Sequence, residues 1–130
     1  MRVLTFVLLL CLLPLSARAD DAVPAEIDYL LRSVGSSSCV FLRNGARYNS
    51  RSAEAHLRMK YRRGKRHAPT SEEFIERLAS SSYLSKKLYY IECEGEEKVP
   101  SGDWLVERLG EYRAVSKDEQ RLRESIERGS

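Results

Sequence analysis

The feature that most constrains this chain is its first nineteen residues, because they set the compartment in which the rest must fold. Arg2 gives a positive start, Val3 to Leu15 is almost wholly apolar, and Pro14 breaks the run near its end. Ala17-Arg18-Ala19 then puts small residues at the two positions a signal peptidase reads. The apolar run falls short of the roughly 20 residues of a membrane-spanning helix. Residues 1–19 are therefore expected to be a cleavable export signal, and the mature chain to be periplasmic or secreted. No later segment has the apolar length to cross a membrane.

Cleavage leaves Asp20 to Ser130, enough for one domain with a modest core. Two of the three cysteines survive, Cys39 and Cys93. In an oxidising compartment an isolated pair most simply forms one disulfide. Closing a loop of 54 positions stabilises a fold by about 4 kcal/mol in the chain-entropy treatment. A redox pair sits closer in sequence, as Cys-x-x-Cys. A metal site is not expected either, since the remaining soft ligands, His56 and His67, lack partners at ligand spacing.

Charge narrows the partners. The leader carries Arg2 and Arg18 and no acid, so the mature chain has 20 Lys+Arg against 19 Asp+Glu. A balance of +1 does not suggest nucleic acid. Six basic residues lie between Arg58 and Arg66, with His67 next. Such a run can dock on lipopolysaccharide, anionic lipid or nucleic acid. The plainer expectation is a solvated loop balanced by Glu92, Glu94, Glu96 and Glu97, since stacking aromatics are not interleaved with it.

Local patterns outline an α+β fold with three to four helices packed on a small antiparallel sheet. After an exposed lead, Asp20 to Pro24, the spacing of Ile27, Leu30, Leu31 and Val34 predicts a helix over 25–34 that stops at Gly35. Cys39 to Leu42 reads as a strand. Asn44-Gly45 is a strong hairpin signal, with Arg47 to Asn49 returning, so the hairpin covers about 39–49. Ser50 is expected to cap a helix over about 51–63. Thr70 caps the next, with Glu73 at the reciprocal capping-box position. Residues 88–93, rich in aromatic and β-branched side chains, form the remaining strand. After a charged turn, Pro100 to Asp103 opens a helix bearing Trp104, Leu105, Leu109 and Tyr112. The single domain covers 20–115, and 116–130 is a charged tail, helical or disordered.

The helix after the hairpin carries the chemistry. Its inward stripe falls on Ala53, His56, Leu57, Lys60 and Tyr61. Two titratable groups one turn apart thus lie on an otherwise apolar face, where an uncompensated charge is costly. With Arg43 from the hairpin, His56 and Lys60 form a candidate electropositive notch for a carboxylate or phosphate. The bland alternative is a histidine bonded to backbone and a lysine snorkelling to water. No Gly-x-Ser-x-Gly, Gly-rich phosphate loop or paired-carboxylate motif is present, and no acid is placed to orient His56. No cofactor is expected.

Taken in order, Phe41-x-Arg43-Asn44-Gly45, Ala53-x-x-His56-Leu57-x-x-Lys60, Thr70-x-Glu72-x-Phe74-Ile75, Ala79-Ser80-Ser81-Ser82 and Lys87-x-Tyr89-x-Ile91 resemble the YfeK-like family of small bacterial periplasmic proteins. The resemblance runs over about residues 41–91. It implies a compartment and a fold, but no reaction. The family pattern has glycine before Lys87, where this chain has Lys86, which argues against a tight glycine turn there.

Three functions follow as expectations. The first is a non-enzymatic envelope protein that binds a partner or an anionic ligand through Arg43, His56 and Lys60. The second is an inhibitor of a cell-wall hydrolase such as lysozyme, because Ser85-Lys86-Lys87-Leu88-Tyr89 is similar to the Ser-Gly-x-x-Tyr loop of small lysozyme inhibitors, without its glycine. The third, and weakest, is a hydrolase using His56 as general base.

Overall fold

The computed structural model describes residues 21–129. The export signal expected at 1–19 lies outside the described residues. Helix α1 (Ala22–Ser36) comes first, followed by strands β1 (Val40–Arg43) and β2 (Ala46–Asn49), then helix α2 (Ser50–Gly64). A short 3-10 turn, Lys65–His67, leads to α3 (Ser71–Phe74), which widens into a π-helical turn over Ile75–Ala79. Strands β3 (Tyr90–Glu92) and β4 (Val99–Pro100) precede the long helix α4 (Ser101–Gly129). The four strands form one antiparallel sheet in the order β2-β1-β3-β4.

The hairpin is built as its turn residues require. Asn44 and Gly45 both take positive φ, 51° and 79°, the type I′ geometry whose twist matches the strands it joins. Pairing of Val40 with Glu92 then brings the preceding and following residues, Cys39 and Cys93, face to face. They are disulfide-bonded, with Cα atoms 4.3 Å apart.

Several boundaries differ from expectation, each for a local reason. Helix α1 starts three residues early and takes Pro24 into its first turn, where the absent N–H has no helical partner to lose. Gly35 does not stop α1. It lies against the Glu54 carboxylate of α2, and Ser38 (φ 58°) makes the left-handed step instead. The cap of α2 is Asn49, not Ser50: its side chain accepts from the Ser52 N–H at 2.8 Å while Asn49 still ends β2. Thr70 caps α3 as expected, but the Glu73 carboxylate accepts from the Thr70 hydroxyl. Strand β4 was not anticipated. Pro100 suits it, because an edge strand leaves one side without a ladder bond to lose.

A tight turn survives before β3 without glycine. Lys86 itself adopts φ 57°, its N–H donates to Ser82 O, and Ser82 N–H donates to Lys87 O. Ser85 Oγ hydrogen-bonds Asn44 Oδ1 at 2.7 Å, so this loop is tied to the hairpin turn beside it. Its tip leaves Tyr83 and Leu84 77% and 89% exposed.

Helices cover one face of the sheet. Ile27, Leu30 and Val34 of α1 meet Leu57 of α2, Phe74 and Ile75, Leu105 and Leu109 of α4, and Phe41 and Ile91 from the strands. At about 25 cal/mol per Å² of apolar surface, this common cluster is the main source of stability. The tail is helical: α4 runs unbroken to Gly129, with every residue from Ala114 to Gly129 exposed. Among the described residues no helix is long and apolar enough to cross a membrane.

Candidate functional site

Helical periodicity places the α2 stripe as expected: Ala53 and Leu57 are buried, and His56, Lys60 and Tyr61 are half-buried. Arg43, the last residue of β1, reaches the same place from the sheet. Its Nη1 donates to His56 Nδ1 at 2.5 Å, and its guanidinium carbon stands 4.5 Å from the centre of the Tyr48 ring. The hairpin thus clamps the arginine between an aromatic face and an imidazole.

That hydrogen bond defines the histidine. A guanidinium can only donate, so Nδ1 accepts and the ring proton sits on Nε2. Nε2 is buried and has no hydrogen-bond partner among the described residues. Burial, then the positive charges of Arg43 and Lys60, lower the pKa of His56 to about 4. His56 is therefore neutral at physiological pH, and the notch carries less charge than its residue types suggest.

Lys60 is directed elsewhere. Its amine donates to the Ser81 carbonyl (2.9 Å) and contacts the Tyr89 hydroxyl (3.2 Å). Burial, then Arg43, lower its pKa to about 8. Burial also raises the pKa of Tyr89. The structure joins Arg43 to His56 and turns Lys60 toward Ser81 and Tyr89 behind them.

A cavity of about 200 Å³ lies between α2 and the sheet. Arg43, His56 and Ser52 line it together with Phe41, Leu42, Tyr48, Ala53, Leu57, Ala79, Tyr89 and Ser101. Lys60 does not. Exposed Ser52 in the wall brings the cavity to the surface. Tyr48 and Tyr89 are wall residues that the stripe on α2 could not announce. Strand alternation is the signal for Tyr48, while Tyr89 also stands in the family pattern and in the loop similar to that of lysozyme inhibitors.

Arg43 has no carboxylate partner among the described residues, though ion pairs are frequent elsewhere. Arg58 pairs with Glu54 (2.8 Å) and Asp28 (3.1 Å), and these carboxylates raise its pKa. The expected balance of the 58–67 basic run by Glu92 to Glu97 does not form in the case of Glu92, which pairs with Arg47 at 3.1 Å. Arg62, Arg63, Lys65 and Arg66 are exposed.

A second polar cluster was not foreseen. Arg113 of α4 is bonded to Glu26 of α1 through Nε and Nη2 (2.8 and 3.0 Å) and to Glu72 of α3 through Nη1. Buried Ser71 donates to Glu26 at 2.6 Å. The Arg113 bonds lower the pKa of both glutamates, and the glutamates raise that of Arg113.

Fold and site together define a small two-layer α+β protein with an apolar cavity closed at one wall by a cation. The chain belongs to DUF5329, a family of unknown function, which it matches over residues 21–113. It is similar to the Uncharacterized protein YfeK of Salmonella typhimurium, 34% identical over 84 residues, which is 64% of this chain and 70% of the relative. No solved structure matches it.

Proposed function

We propose that this is an exported, non-enzymatic binding protein that grips the anionic group of a ligand or partner at Arg43, with His56 beside it. The observation that carries the reading is a half-buried guanidinium in a cavity wall with no carboxylate partner among the described residues. Burying a charge without compensation is unfavourable, and an incoming anion would supply what is missing. Among the described residues the neutral imidazole is hydrogen-bonded to a cation and to no acid or hydroxyl, which supports binding over hydrolysis. Lys60 adds positive potential from behind and holds the Ser81 segment.

Export is supported by the residue pattern of 1–19 and by the disulfide, which belongs in an oxidising compartment. Fractionation of cells expressing the full chain should place the protein outside the cytoplasm with Asp20 as its first residue. A cytoplasmic, uncleaved product would refute that part. For the site, NMR titration of acetate and inorganic phosphate should shift the Arg43 side-chain and His56 signals, and Arg43→Ala should abolish both responses. Titrations that move neither residue would reject the reading.

A second reading, inhibition of a cell-wall hydrolase such as lysozyme, draws support from the exposed Tyr83-Leu84 tip on its braced turn. Tyr89 is only 7% exposed, so the tip, not Tyr89, would face the enzyme. A lysozyme activity assay with purified protein, unaffected by a large excess, would reject it.

A further inference from the structure

The anion-binding reading does not specify the anion, but the chamber beside the guanidinium does. Its wall is mostly carbon, drawn from Phe41, Tyr48, Leu57, Ala79 and Tyr89. Its volume is about 200 Å³, and an apolar cavity of about 150 Å³ is known to accept benzene. There is room for one ring or for a chain of about six carbons. Bare phosphate would leave that wall unfilled and would bring more negative charge than the wall can meet. Among the described residues one cation, Arg43, lines the chamber, since the Lys60 amine is held by Ser81 and Tyr89. A single guanidinium matches a single carboxylate in charge and in its two-pronged geometry.

We infer that, granted the anion-binding reading, the site takes an amphipathic monocarboxylate, with its carboxylate on Arg43 and its apolar body in the chamber between α2 and the sheet. Two sources share that chemistry: a free short fatty or aryl acid, and the apolar C-terminal residue of a peptide. Charge fixes the head group in either case, and chamber volume sets the size of the body.

The test is a calorimetric titration of the mature chain with straight-chain carboxylates from acetate to dodecanoate, with inorganic phosphate alongside. Affinity should rise about fourfold per methylene, then level off once the chamber is full, near six to eight carbons. Phosphate should bind more weakly than hexanoate. Arg43→Gln should weaken hexanoate at least about tenfold, the loss of a charge-assisted pair. Ala53→Val, which narrows the chamber, should move the plateau to a shorter chain. A peptide arm separates the sources: binding of a Phe-terminated peptide acid but not its amide would identify a C-terminus, whereas binding of free acids alone would identify a small molecule. Acetate, hexanoate and phosphate binding with equal strength would overturn this inference and leave the anion site standing. If none of the three bound, both would fall.

Discussion

Two arginines in this protein occupy comparable, partly buried positions between secondary-structure elements, yet their surroundings differ. Arg113 lies among α1, α3 and α4, held by Glu26 and Glu72, with buried Ser71 completing the Glu26 shell. Arg43 lies between the sheet and α2, held by an aromatic ring and a neutral imidazole. The first arrangement is closed: every charge meets its opposite, and what it does is fasten helices together. The second is open: a cation faces a cavity with no acid beside it among the described residues. The same residue type is thus a structural fastener in one place and a candidate binding group in the other. The presence of carboxylates, rather than burial, tells them apart.

The comparison can be broken by substitution. The disulfide sets the scale. Replacing Cys39 and Cys93 by serine should cost about 4 kcal/mol by the loop-closure argument, read as a lower denaturation midpoint, with a steeper slope because the uncrosslinked unfolded chain exposes more surface. Both arginine sites should survive wherever the fold does. Next comes Arg113→Met. It strands Glu26, whose side chain is only 14% exposed, and should cost about 1–2 kcal/mol, between the values for buried and surface pairs. Arg43→Met should stay within about 0.5 kcal/mol of the parent in urea denaturation, because it removes a charge that the fold leaves uncompensated. Equal losses at the two positions would erase the distinction between them.

pH offers a gentler lever. His56 has a folded pKa of about 4, below the ordinary 6.5, so between these values the unfolded chain takes up a proton that the folded one refuses. Stability from this group is complete above pH 6.5 and is lost as pH falls toward 4. His56→Leu should therefore flatten that part of the stability curve. Glu26 and Glu72, also with lowered pKa values, make their loss at more acidic pH and should respond to Arg113→Met instead. A curve unchanged by His56→Leu between pH 6.5 and 4 would contradict the assigned neutral histidine.

Much of the first site was legible because its signals are local. Asn44-Gly45 specifies a turn by backbone conformation alone, and the 53-56-57-60-61 stripe follows from helical period. What periodicity cannot convey is where a long side chain ends. Lys60 lies on the inward face as read, yet its amine travels to Ser81, 21 positions away. The Arg113 cluster left no trace in the sequence, because Arg113 and Glu26 are 87 positions apart and each looks like an ordinary surface charge on its own helix. Lys86 shows the opposite failure. A residue pattern argued against the tight turn, but closure by Ser82 and Lys87 holds the lysine in a backbone conformation it would not choose alone.

The most direct test is the thermal melt of Arg43→Met with and without saturating hexanoate. The variant should melt within a few degrees of the parent and lose the upward shift that hexanoate gives the parent. A variant that melts far lower, or one that keeps the hexanoate shift, would show that Arg43 holds the fold together or has no part in binding.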